Sequence, residues 1–410
     1  MLTDGQQWQK HRKITAGAFT DKNNELVWSE SIQQGHDMAL YWGHKDSVRS
    51  VARDTRTLSL NVLASAGFGR SYQFQGDEER PPGTDLQDYK QSLQIILENC
   101  VLLFALGTKT IAKTWMPNKV SKLHQAVVSF KAYMTEVYEN EKAALAEGRS
   151  TATNLMSALV RASQTHDDAE GLSETEIYGN MFVFNFAGHD TSTHTLTFAI
   201  YLLSTQPLTQ DWLHEELQHV FGGRSVDDWS YTQDFSRLKR CLAVVFETLR
   251  LYTPSPIAKS TGQRPTMLKN GGKTYIIPEN TLVIPNHIAV HSHPKYWGKD
   301  SMEWRPSRWI EQDASTSLDK ETVFIPRKGQ FIPWSDGLRV CPGKKFAQVE
   351  LVAVVAALFR DWRVEPALRE GELLNQAQGR VLKQVKEDTG QVLLLQMLHP
   401  ENAPLVWKRR

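Results

Sequence analysis

The sequence predicts a mainly α-helical single domain that carries small β-hairpins late in the chain. Three observations carry that reading. Apolar residues recur near a 3.6-residue period through the first two-thirds of the sequence. Alternating, β-branched segments occur only after Lys273. No repeat, low-complexity stretch or interdomain linker divides residues 1–410, so helices first and small sheets late read as one domain.

The elements follow in order. Residues 8–19, 27–41, 46–68, 85–106, 121–147 and 153–163 each show helical periodicity. Breaks fall at 76–83, which holds Pro81-Pro82, at Pro117, and at the polar run 164–171. Ser173-Glu174-Thr175-Glu176 is a capping box, in which the serine hydroxyl and the second glutamate satisfy orphan amides at a helix start. The long apolar helix it opens ends near Gln206-Pro207. Residues 208–221 form a further helix closed by Gly222-Gly223, and 238–251 another closed by Pro254 and Pro256. Then the pattern changes: 273–277, a turn at 278–280 and 281–284 read as strand, turn, strand. A Trp-, Pro- and Gly-rich stretch leads to a strong apolar helix at 346–359. Residues 381–386 and 392–397, around Asp388-Thr389-Gly390, read as a late hairpin.

Composition excludes several classes. The 47 Lys+Arg and 46 Asp+Glu nearly balance, so no cationic surplus exists for nucleic acid. Cys100, Cys241 and Cys341 are too few for a disulfide framework. The polar, basic start gives no signal peptide. The most apolar run, 181–203, contains Asn185, His189, Asp190 and His194, and reads as a buried core helix, not a membrane span.

Three segments carry chemistry. Cys341 lies in the loop Phe331-Ile332-Pro333-Trp334-Ser335-Asp336-Gly337-Leu338-Arg339-Val340-Cys341-Pro342-Gly343, just before a helix. Amides of such a loop and helix terminus favour thiolate. Gly337 and Gly343 permit tight curvature and close approach of a flat ligand, and Arg339 is placed to meet an anion on it. A lone cysteine can equally be an inert buried thiol. Glu247 and Arg250 share a helix face and can pair, which a solvated helix also shows. Buried, the pair would need a third partner, and Arg308 beyond Pro306 is the candidate. Ala187-Gly188-His189-Asp190-Thr191 interrupts the long apolar helix with a glycine and an acid, each unfavourable there. Thr191 can bond the carbonyl four residues back and open a polar groove; the alternative is a kink with a solvated Asp190.

Together these segments resemble the cytochrome P-450 family of haem-thiolate monooxygenases. Its cysteine loop is matched by Trp334, Gly337, Arg339, Cys341 and Gly343, with Trp334 where Phe is usual. Its Glu-x-x-Arg is matched by Glu247 and Arg250, and its Pro-x-Arg by Pro306 and Arg308, with Ser307 where Glu is usual. Its oxygen-activation motif is matched by Ala187, Gly188, Asp190 and Thr191, and its Trp-x-x-x-Arg by Trp8 and Arg12.

The resemblance implies an α-rich domain with small β-sheets and a haem b (iron protoporphyrin IX) cofactor, with Cys341 as the proximal thiolate. Thr191 and Asp190 would hold dioxygen and relay protons. Ala187 and Gly188 would lie against the haem. Trp8, Arg12, Arg339 and Lys259 would meet its propionates. Glu247, Arg250 and Arg308 would be structural, and Phe182, Phe186, Ile257, Ala258 and Thr389 would face substrate. It implies insertion of one atom of O2 into a lipophilic small molecule, with electrons from NADPH through a flavoprotein reductase docked near Lys10, His11, Lys13, Lys344 and Lys345. A haem-thiolate isomerase or dehydratase, or a non-catalytic haem-binding fragment, are the alternatives. In the family the Trp-x-x-x-Arg helix follows a longer N-terminal region. The resemblance therefore implies a single domain over 1–410 that lacks the membrane anchor, the first helices and part of the first sheet. The family expectation is the cytoplasmic face of the endoplasmic reticulum; for this chain as written it is a soluble cytoplasmic protein. The loop style resembles that of microsomal members from filamentous fungi, which often act in secondary metabolism.

Overall fold

The computed structural model describes residues 5–76, 85–113, 115–149, 153–165, 171–311 and 317–410. The Pro81-Pro82 break and most of the 164–171 break lie outside these residues. The longer helices are α1 (Gly5–Ala16), α2 (Asp21–Gly43), α3 (Val51–Phe68), α4 (Asp85–Glu98), α5 (Asn118–Ala146), α6 (Leu155–Thr165), α7 (Glu174–Ser204), α8 (Pro207–Phe221), α9 (Lys239–Leu251), α10 (Lys344–Phe359) and α11 (Leu374–Glu387). The single helix expected over 85–106 is broken at Asn99, whose side-chain amide donates to the Ile95 carbonyl (2.9 Å), and a short helix, Cys100–Leu106, follows.

The core is built around α10, which lies against α2, α7 and α9, while α3 lies along α7. From Val349 to Phe359 every residue of α10 is buried, as expected of a helix apolar on all sides. The C-terminal half of α7, from Ser192 to Ser204, is buried as well. Among the described residues no helix is long and apolar enough to cross a membrane.

The strands pair as two-stranded antiparallel ladders, and two differ from the sequence expectation. β1 (Lys259–Ser260) pairs with β4 (Leu282–Val283), and β2 (Thr266–Asn270) with β3 (Lys273–Ile277). Residues 273–277 thus turn back on 266–270, not forward on 281–284. Gly271-Gly272, with φ of +56° and +78°, makes the tight two-residue connection that matches strand twist. Pro278 directly after β3 lacks the amide a ladder needs. The remaining ladders are β5 (Ile310–Glu311) with β6 (Thr322–Val323), β7 (Trp362–Pro366) with β10 (Leu405–Arg409), and β8 (Thr389–Gln391) with β9 (Leu395–Met397). Residues 381–386, expected as a strand, belong to α11. Its buried Ala377, Val381 and Val385 recur every four residues, a helical stripe that outweighs the β-branched composition.

Candidate active site

The cysteine loop is folded back on itself before α10. Gly337 has φ +78°, which its missing Cβ permits, and the Asp336 carboxylate accepts the Gly337 amide at 2.7 Å. The Val340 amide donates to the Gly337 carbonyl (3.0 Å) and the Cys341 amide to the Trp334 carbonyl (2.9 Å). Cys341 is thereby presented to a cavity of about 760 Å³, within the range of small-molecule sites. Burial pushes its thiol up, while the Gly343 amide and the Arg12 charge pull it down.

Trp8, His11, Arg12 and Thr15 of α1 line the same cavity on one helical face. The Arg339 guanidinium sits 4.6 Å from the Trp8 ring centre, so the first and last motifs of the chain meet there. Lys10 and His11 do not join Lys344 and Lys345. They turn to Glu176 of α7, at 3.5 and 3.3 Å. Lys344 instead lies 5.6 Å from the Trp334 ring and Lys345 4.0 Å from that of Phe235.

On α7 the cavity wall runs from Thr175 and Glu176 through Gly179, Asn180, Val183 and Phe184 to Ala187, Gly188, Thr191, Ser192 and Thr195. Thr191 Oγ1 donates to the Ala187 carbonyl at 2.9 Å. Asp190 turns off this wall to the Arg56 guanidinium of α3, 2.9 Å away, with His189 at 3.5 Å. Burial raises the Asp190 carboxyl, but the charges of His189 and Arg56 outweigh it and hold the group below the ordinary aspartate range. It is not the solvated acid that a simple kink would leave. Ser192 turns a third way and donates to Glu350 Oε2 of α10 at 2.7 Å. Glu350 is buried, and burial pushes it up to about 7 against the Ser192 and Ser59 hydroxyls.

The structure does not bring three expected substrate residues to this wall. Phe182 stacks on Phe186 (5.8 Å) and meets Phe130 of α5 edge-on (5.8 Å). Phe182 therefore faces α5 with Phe186 stacked on it, and Val183 and Phe184 line the cavity. Thr389 lies in β8 and bonds the Val385 carbonyl at 2.5 Å. Ile257, Ala258 and Lys259 do line the cavity, and Lys259 Nζ reaches Ser335 Oγ (2.5 Å) and the Asp336 carbonyl (2.9 Å).

Glu247, Arg250 and Arg308 come together beside this site. The two Glu247 oxygens accept from Arg250 Nε and Nη2, Arg308 Nε, Trp309 Nε1 and the Arg305 amide, each at 2.8 Å. Asp300 supplies the second acid for Arg308 (3.3 Å), where Ser307 cannot. Sequence reasoning missed Arg56, Glu350 and Asp300. Only Glu350, a lone acid inside the apolar run 346–359, carried a signal that could have found it.

The comparisons agree with this geometry. The family model described as cytochrome P-450 matches residues 1–389. The chain is 31% identical over 413 residues to the phomenoic acid biosynthesis cluster cytochrome P-450 monooxygenase of Leptosphaeria maculans, covering 92% of this chain and 70% of that protein. It is 29% identical to cytochrome P-450 monooxygenase 124 of Postia placenta, covering 100% and 76%. It is 25% identical to 7-deoxyloganic acid hydroxylase of Catharanthus roseus, covering 88% and 67%. A crystal structure of a cytochrome P-450 superposes with a TM-score of 0.72 over 100% of this chain and 83% of that one; at 21% identity it shows the fold. Motif order, architecture and kinship converge, and the chain belongs to the cytochrome P-450 family of haem-thiolate monooxygenases.

Proposed function

We propose that this chain is a single-domain haem b enzyme that inserts one atom of O2 into a lipophilic small molecule, with electrons delivered from NADPH by a flavoprotein reductase. One observation carries the reading: Cys341, Thr191, Trp8, Arg12 and Arg339 all line a single cavity. Its donor set fits the cofactor, with one sulfur presented by a helix-initiating loop, two guanidinium groups at the rim, and otherwise mainly apolar walls.

In this reading Cys341 Sγ would hold the haem iron as a thiolate, and Trp8, Arg12, Arg339 and Lys259 would meet the propionate charge. Bound there, the haem supplies the redox chemistry that activates oxygen. The chain's own residues do the rest. Thr191, whose Oγ1 donates to the Ala187 carbonyl at the cavity wall, would turn that hydroxyl to hydrogen-bond dioxygen. Asp190, held by Arg56, brings protons from the solvent side, because Arg56 is partly exposed whereas Asp190 is nearly buried. Ala187, Gly188, Val183, Phe184, Ile257 and Ala258 exclude water and select an apolar substrate. Lys344 and Lys345, both exposed beside the cysteine loop, supply the charge that receives an acidic reductase.

The test is the carbon monoxide difference spectrum of the reduced, haem-loaded chain. The expected result is the red-shifted Soret band of a thiolate site, abolished by Cys341→Ser. A chain lacking that band, or a Cys341→Ser variant retaining it, removes the reading. Turnover of an organic peroxide with no need of O2, NADPH or reductase would move the assignment to peroxide rearrangement.

A further inference from the structure

We propose that His291 is a positioning residue for the cysteine loop: its neutral imidazole transmits the order of the buried Glu247–Arg250–Arg308 network to the Cys341 amide. The inference rests on Cys341 being the axial ligand, and it concerns how that sulfur is held.

The connection can be followed atom by atom. Arg250, already paired with Glu247, donates through Nη1 to the His291 carbonyl at 2.6 Å. The His291 ring then accepts the Ile332 amide on Nε2 at 2.9 Å. The Ile332 carbonyl accepts the Ser335 amide (2.9 Å), and the Trp334 carbonyl accepts the Cys341 amide (2.9 Å). Residue 291 thus uses its backbone toward the ion-pair network and its ring toward the loop that carries the sulfur. Among the described residues, Glu247 and Arg250 make no hydrogen bond to that loop themselves.

The tautomer is fixed from both sides. Thr253 Oγ1 spends its one proton on the Leu249 carbonyl (2.5 Å), so His291 Nδ1, 3.3 Å away, must donate to it. The lone pair then lies on Nε2, where the Ile332 amide needs an acceptor. A protonated ring would confront that amide with a second donor and break the link. The surroundings keep the ring neutral. His291 is fully buried, with Phe331 at 5.4 Å between ring centres. The titratable and charged groups that face it are His287 on its own short helix and Arg250 from α9. Burial first, then electrostatic repulsion from His287 and Arg250, lower the ring to about 4, against a backbone hydrogen bond at Arg250. A histidine that merely filled space would need neither the tautomer nor the match of donor to acceptor on both nitrogens.

Two variants separate the roles. His291→Phe keeps an aromatic ring and removes the acceptor; His291→Gln keeps an acceptor and cannot titrate. Both are haem-loaded, reduced and treated with carbon monoxide, with denaturant midpoints measured in parallel. His291→Phe should shift the ratio of thiolate-type to unshifted band by roughly tenfold toward the unshifted form, since a buried amide is left unpaired. His291→Gln should restore the band at neutral pH and lower the acid midpoint for its loss by about one pH unit or more, because no ring remains to protonate. A wild-type band and acid midpoint in His291→Phe overturn the proposal. If that variant does not fold, an unchanged acid midpoint in His291→Gln overturns it instead. A wild-type chain with no Cys341-dependent band fails the underlying assignment, a result distinct from either.

Discussion

Glu247 shows how much one side chain can organise. Its carboxylate is fully buried and accepts five hydrogen bonds, two from Arg250 and one each from Arg308, Trp309 and the Arg305 amide. A buried ion pair is stable only when the remaining lone pairs are filled, and here they are. Removing the acid strands the fully buried Arg250 guanidinium without a counter-charge and leaves Arg308 with Asp300 alone. Glu247→Gln is therefore expected to cost about 3–5 kcal/mol of folding stability, measured by denaturant unfolding. A loss below about 1 kcal/mol would mean that Arg250 and Arg308 find other acceptors. The Glu–Arg pair and the third partner Arg308 were legible as residue types at motif spacing. That Asp300 would take the place of an acid at 307 was not, because its approach to Arg308 depends on the path of the chain between them.

At the scale of the element, α7 does most of the sorting. Successive side chains on a helix leave its axis about 100° apart. Asp190, Thr191 and Ser192 therefore point at Arg56, at the cavity and at Glu350 respectively. The same phase puts Val183, Phe184 and Ala187 on the cavity and turns Phe182 to α5, with Phe186 stacked on it. What fixes the start of this helix is local. Ser173 Oγ accepts the Glu176 amide (3.3 Å), and the Glu176 carboxylate accepts the Ser173 amide (2.8 Å). The latter bond chiefly lowers the Glu176 carboxyl against its burial. Ser173→Ala should destabilise the protein by about 1 kcal/mol, read as a fall in denaturant midpoint at constant slope. The haem-loaded spectrum should be unchanged, because Gly188 and Thr191 sit about four turns or more further on, although the cavity wall begins at Thr175 and Glu176. A change in slope instead would show that the cap controls cooperativity of the whole fold.

Across the whole molecule, burying α10 places titratable groups where water cannot solvate them. Burial pushes Glu350 up to about 7, with Ser192 pulling against it. Burial likewise raises Glu216 to about 7 despite the Arg240 and Cys241 amides it accepts at 2.6 and 3.0 Å. Such an acid is protonated when folded. Its contribution is fully present below its unfolded value of 4.5 and is lost as pH rises through about 7. For Glu350 that rise corresponds to roughly 3 kcal/mol. Glu350→Gln cannot ionise, so its stability relative to wild type should improve steadily from about pH 4.5 to pH 7 and level off above. A flat difference across that window would show that Glu350 is charged in the fold. His194 runs the opposite way. Burial lowers it to about 4, so its contribution is present above 6.5 and is lost as pH falls through about 4.

By itself the sequence determined most of the helices, the capping box, the order of the motifs and the loop whose sulfur enters the cavity, since each depends on residue type at short spacing. It misjudged the β2–β3 pairing and α11. There a local cue, a β-branched run, competed with one that acts through a partner: a Gly-Gly turn seven residues upstream in one case, a buried stripe in the other. Only the tertiary structure decided which faces meet. Arg56 reaches Asp190 across 134 residues, Glu350 reaches Ser192 across 158, and Ile332 reaches His291 across 41. Such contacts follow from helix phase and crossing, quantities that accumulate along the whole chain and that no single segment encodes.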